Sequence, residues 1–211
     1  MDIPRRTSDR LSSISVAEPL WTGIGMFVTY LIMNGIVLFL TFRTVAGQIP
    51  DHLTETYAQI FSVMFITMTL GVTLGEIVIF VFGWLFVMIV VALLNSRRRH
   101  RALFGWLGVA YTPVTVYSIM AVVLMLVFSD QMVYAGLSNL ATIDQLPDEL
   151  TKIQDIGLLK WIRYGRYIAL TLVVAFAIEA VHRVCSMSRF KAVGVILTYV
   201  ALNGLVQAII S

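Results

Sequence analysis

One cysteine, three histidines and few charges are all that this chain offers to chemistry. With Cys185 alone, an intramolecular disulfide and a cysteine-based zinc cage are both excluded. His52, His100 and His182 are scattered, so neither a metal cluster nor a cofactor site is expected. Charged residues fill 13% of the 211 positions, against about 25% in a soluble domain. Too little polar surface remains for a soluble catalytic domain. There is no phosphate loop, no nucleotide fingerprint and no Ser/His/Asp set that geometry would favour. No catalytic residue is assigned, and the chain reads as a non-enzyme.

What it does have is apolar length. Hydrophobic residues make up 59% of the sequence. Residues 20–42 carry no charge and are long enough to cross a hydrocarbon core of roughly 30 Å. Residues 76–95, 102–128, 167–184 and 193–210 are four further candidates. No small-residue cleavage site clearly follows the first run, so it reads as a retained span and not a removed signal. The predicted fold is all-α and polytopic, a single domain over 1–211 with five transmembrane helices. Pro113 falls inside the third span and predicts a kink there.

Orientation follows from Arg97, Arg98, Arg99, His100 and Arg101, which sit between two apolar runs. Lys and Arg are retained on the cytoplasmic side. Placing Arg5, Arg6, Arg10, this loop and the 183–191 loop inside puts 10 of the 15 Lys and Arg there. The tail 1–19 is then cytoplasmic, the C-terminus is outside, and loop 131–166 is outside. Residues 51–75 complicate the count. Leu53, Tyr57, Ile60, Phe61, Met64, Phe65 and Met68 recur at helical spacing, an amphipathic pattern. A full extra span there would break the charge rule, so the segment reads as interfacial, re-entrant or an extension of the second span, with a hinge at Gly71 and Gly75. A second outer surface helix is expected from Pro147 onward, with Trp161, Tyr164 and Tyr167 at headgroup level.

Few residues within spans could act. Glu76 opens the second span and reads as an acid favoured at a helix N-terminus. Glu179 and Arg183 are four apart and read as an intrahelical pair at the inner end of the fourth span. Tyr111 is polar within the third span. The arginines Arg97, Arg98, Arg99 and Arg101 suit anionic lipid headgroups, and no nucleic-acid partner is expected. Gly23, Gly25, Gly105 and Gly108 could let helices approach closely, although neither pair has the spacing of a GxxxG motif.

The run Leu103-Phe104-Gly105-Trp106-Leu107-Gly108-Val109-Ala110-Tyr111-Thr112-Pro113 resembles the third span of the Yip (Ypt/Rab-interacting protein) membrane family. Ser188-Arg189-Phe190-Lys191-Ala192 is similar to the short inner turn that opens that family's last span. The resemblance implies five spans and, in eukaryotic members, membrane trafficking and contact with small GTPases. Just one residue separates Tyr111 from Pro113, and a long N-terminal region is missing, so prokaryotic-type members are the nearer likeness. The leading expectation is an integral membrane scaffold or accessory subunit of the cell membrane that binds lipids and other membrane-protein subunits, alone or as an oligomer. It rests on a lack of charge pairs within spans. A small-solute or ion transporter is the alternative, with Glu76, Glu179, Tyr111 and Pro113 lining a path.

Overall fold

The computed structural model describes residues 19–94, 100–128, 135–139, 141–145, 149, 152 and 157–210. Among these every regular element is helical: α1 Leu20–Ala46, α2 Asp51–Leu93, α3 His100–Ala110, α4 Thr112–Phe128, α5 Gly157–Val184 and α6 Arg189–Ile210, with short turns at Ala135–Ser138 and Ile143–Gln145. Four stretches are long and apolar enough to cross a membrane: Leu20–Ala46, Ser62–Leu93, Arg101–Phe128 and Gly157–Val184. The chain is thus an all-α, multi-pass membrane-type protein. Arg97, Arg98 and Arg99 lie outside the described residues, as does most of 147–156, where the outer helix is expected to start; from Gly157 onward that segment, with Trp161 and Tyr164, is part of α5.

Two local rules explain where the helices run on and where they stop. α2 continues for 43 residues, about 65 Å at 1.5 Å per residue, and absorbs the amphipathic segment as its own N-terminal part. Asp51 stands in its first turn, and Thr54 Oγ1 donates to Pro50 O at 3.2 Å. The hinge expected at Gly71 and Gly75 is not there, since the helix passes through both. A glycine weakens a helix by about 1 kcal/mol but removes no hydrogen bond. A proline does remove one, and the third span breaks at Tyr111 just before Pro113, as expected. Pro113 cannot donate to Val109 O; Thr112 Oγ1 takes that carbonyl at 2.6 Å, while Tyr111 N donates to Gly108 O at 3.1 Å.

The turn between α5 and α6 is equally local. Ser186 adopts φ 54°, a left-handed residue closing α5. His182 Nδ1–H donates to Met187 O at 2.5 Å, which fixes the proton on that nitrogen. Ser188 caps α6 by accepting from Lys191 N at 3.4 Å, and Ala192 behind it is fully buried. The Ser-x-x-Lys-Ala run is therefore a helix cap followed by a packing position.

The chain forms two compact units. Unit 1 comprises Met1–Phe27, Ile79–Thr112 and Val173–Ser211; unit 2 comprises Val28–Val78 and Pro113–Leu172. In unit 1, α1 and α3 meet backbone to backbone. A Cβ on Gly23 would collide with Gly105 O, and one on Gly108 would fall 2.5 Å from Gly23 O. Gly25 faces open space and plays no such part. Beside this crossing, Phe27 stacks on Phe80 at 4.3 Å between centroids, and Tyr111 and Phe104 meet Phe80 edge-on at 5.6 and 5.1 Å. In unit 2, the buried core of Val45, Ile49, Tyr57 and Leu137 ties the α1–α2 turn to the Ala135–Ser138 turn. Burial pushes the Tyr57 hydroxyl up to about 12.

Candidate functional site

An ion pair that joins two candidate spans lies in unit 2. Tyr30 of α1 is fully buried, and its hydroxyl donates to Glu76 Oε1 at 2.8 Å. Arg166 Nη2 of α5 donates to the same carboxylate oxygen at 3.1 Å and to Tyr30 Oη at 3.3 Å. The carboxylate side chain is 17% exposed and the guanidinium side chain 41%. Glu76 thus satisfies one cation and one hydroxyl at once, which is what a carboxylate needs when water is withdrawn. Glu76 is consequently not the helix-opening acid that its position after Gly75 implied. It stands 25 residues into α2, far from the N-terminal dipole.

Arg166 was expected as the last residue of an outer loop; it lies instead inside α5, within a candidate span. The premise that the spans lack charge pairs is corrected by this contact. Neither Tyr30 nor Arg166 stands out in the sequence. The available signals were a tyrosine inside a charge-free run and an arginine flanked by helical apolar spacing, and neither names the other.

A cavity of about 250 Å³ opens beside the cluster, between segments of α1, α4 and α5 in unit 2. Its polar lining is Asn34, Thr41, Tyr117, Ser118, Arg163 and Arg166. The hydroxyl protons are committed to the protein: Thr41 to Val37 O at 2.8 Å, Ser118 to Val114 O at 2.8 Å, and Tyr117 to Ile162 O. Tyr117 lies across Gly165, where an added Cβ would fall 2.5 Å from its ring. That fit holds α4 against α5 beside the cavity. Arg163 and Arg166 are three residues apart on α5 and so share a face.

The other residues singled out from the sequence are placed elsewhere. Tyr111 belongs to the ring cluster of unit 1 and Pro113 to the helix break. The Glu179–Arg183 pair forms as expected, with Arg183 Nε donating to Glu179 Oε1 at 2.6 Å, and Arg189 adds a second cation at 3.5 Å. Arg183 and Arg189 are largely exposed, at 71% and 72% of their side chains. Arg101 is exposed on α3. Cys185 is buried, and burial pushes its thiol up to about 11. Among the described residues, no group of three or more His, Cys, Asp or Glu could hold a metal ion. No known protein family, curated protein or solved structure matches this chain.

Proposed function

We propose that this protein is a non-enzymatic carrier or permease that binds a small polar solute in the cleft of unit 2. The observation that carries the reading is the cleft itself, lined by two guanidiniums and an amide. It adjoins an ion pair inside segments apolar enough to span a membrane. Ionisable groups in such segments are costly, and they mark ligand or ion pathways more often than packing. Five spans are proposed with α6 as the fifth, N-terminus in the cytoplasm and C-terminus outside, in the cell membrane.

Uptake by proteoliposomes containing the purified chain tests the reading, using labelled amino acids, sugars, phosphate esters and inorganic ions. Uptake of one class, cut more than tenfold in Asn34→Leu at unchanged Tm, is the expected outcome. Uptake of none, or uptake that ignores the cleft variant, would sink it. The orientation is tested by cysteines placed at Ser138 and at Lys191 in a Cys185→Ala background. Reagent outside intact cells should reach the first and miss the second.

A scaffold of the Yip type is the second reading. It draws on the Tyr111-Thr112-Pro113 break and the Ser188 cap, where the resemblance sits on structurally consequential residues. Co-purification in mild detergent tests it: a strictly monomeric species without partners counts against it.

A further inference from the structure

The geometry points to a hydroxylated phosphate ester, the headgroup of a lipid such as phosphatidylglycerol, as the ligand of the unit 2 cleft. This assignment rests on the cleft being a binding site, as proposed above, and names what it binds.

Three observations carry the assignment. First, the described residues lining the cleft include two guanidiniums and no carboxylate. A guanidinium presents a planar fork of donors that matches phosphate oxygens; Arg166 gives its Nη2 to Glu76 and Tyr30, so an anion would meet Arg163 and the rest of the Arg166 fork on one helical face. Asn34 adds an amide that can donate to the same group. Second, Thr41, Ser118 and Tyr117 have spent their hydroxyl protons on carbonyls of Val37, Val114 and Ile162, so toward the cleft they offer oxygen lone pairs. Those oxygens call for a ligand that brings hydroxyl donors of its own. An anion without hydroxyls would leave them unanswered, and an amine-bearing ligand would face the arginines.

Third, α5 carries Trp161, Tyr164 and Tyr167, exposed at 76%, 48% and 58%, around Arg163 and Arg166. Exposed aromatics on an apolar helix sit at the depth of lipid headgroups, which is where lipid phosphates are. The volume, about 250 Å³, is just under the roughly 300–1,000 Å³ of small-molecule sites. It suits a headgroup.

The experiment uses the full chain, purified in mild detergent and stripped of lipid, with binding read by native mass spectrometry and by the shift in Tm. Phosphatidylglycerol, phosphatidic acid and phosphatidylcholine of one chain length are compared with soluble glycerol phosphate. Phosphatidylglycerol should bind at least tenfold tighter than phosphatidylcholine. It should also exceed phosphatidic acid, whose phosphate lacks the hydroxylated headgroup. Arg163→Gln should lose that preference tenfold, while Lys191→Gln, an exposed cation outside the cleft, keeps it. Arg163→Lys, which retains charge without the fork, should fall between and covers the case in which the Gln variant fails to fold. Cleft-dependent binding of glycerol phosphate without phosphatidylglycerol binding would keep the chemistry and move its source to a soluble ester.

Equal binding of phosphatidylglycerol and phosphatidylcholine, or equal losses in the Arg163 and Lys191 variants, would overturn the assignment. The two proposals fail separately. Cleft-dependent uptake of some other solute, with phosphatidylglycerol ignored, refutes the ligand and spares the carrier. Cleft-dependent lipid binding with no uptake of any solute does the reverse.

Discussion

The two units use one packing device and then diverge. In unit 1, Tyr199 lies over Gly83 and its hydroxyl donates to Ile79 O; in unit 2, Tyr117 lies over Gly165 and donates to Ile162 O. Each is a ring on a glycine shelf, with the polar tip answered by the backbone carbonyl one turn back. Around that device unit 1 adds glycines and stacked rings, with its described ion pairs at an exposed helix end. Unit 2 adds Tyr30, Glu76, Arg166 and a polar cleft. Dry contacts serve close approach and rings bury large apolar areas, at the cost in unit 1 of two buried indole N–H groups, of Trp84 and Trp106, without a hydrogen-bond partner. A charge pair in the same surroundings adds little net stability against an apolar replacement. The difference teaches where function is to be sought: unit 1 holds helices together, and unit 2 keeps a costly cluster beside a space.

The comparison can be broken at its dry side first. Gly23→Ala drives a Cβ into the backbone of Gly105, which no rotamer change relieves. A loss of about 3 kcal/mol or more is expected, at the upper end for overpacking, read as a fall in Tm in detergent. Gly25→Ala, facing open space, is the control and should leave Tm unchanged. Equal effects of the two would remove the close crossing from the account.

Next comes the ionic side. Glu76→Gln leaves Arg166 without its carboxylate. Because that arginine is part-exposed, about 2 kcal/mol is expected, below the roughly 3–5 kcal/mol for breaking a fully buried pair. The double variant Glu76→Gln/Arg166→Gln should be milder than the sum of the singles. Strict additivity in that cycle would mean the groups do not sense each other.

A smaller effect sharpens the picture of unit 1. The Cys185 thiol is raised from its ordinary 9.0 to about 11 by burial, so the fold favours the protonated form. Its contribution to stability is whole below pH 9 and is lost as pH climbs through 11. Maleimide labelling of the folded chain should be very slow at pH 8 and accelerate with pH as thiolate appears. Fast labelling at pH 8 would contradict its burial.

The smallest effect is expected at the exposed helix end. Glu179→Gln and Arg183→Gln should each move Tm too little to resolve, because Arg189 shares the carboxylate and solvent screens all three. Loss of a measured uptake in Glu179→Gln at unchanged Tm would instead make Glu179 a site residue.

Local chemistry was readable from the chain. The break before Pro113 follows from one missing N–H, and the Glu179–Arg183 pair follows from four-residue spacing on one helix. The apolar runs require helices wherever a backbone must satisfy itself without water. Long-range partnership was not readable. Arg166 lies 90 positions from Glu76 and 136 from Tyr30, and periodicity carries no information about which helices become neighbours. Glu76 followed a glycine and so resembled a helix start, yet α2 runs through Gly71 and Gly75 because glycine removes no hydrogen bond. Helix content, the proline break, the Ser188 cap and the membrane character of the protein were therefore determined by the sequence alone, since each depends on residues within one turn or one span. The pairing of Glu76 with Arg166, the contact of Gly23 with Gly105 and Gly108, and the cleft were decided only in the tertiary structure, where side chains distant in sequence must fill the same space and answer one another's charge.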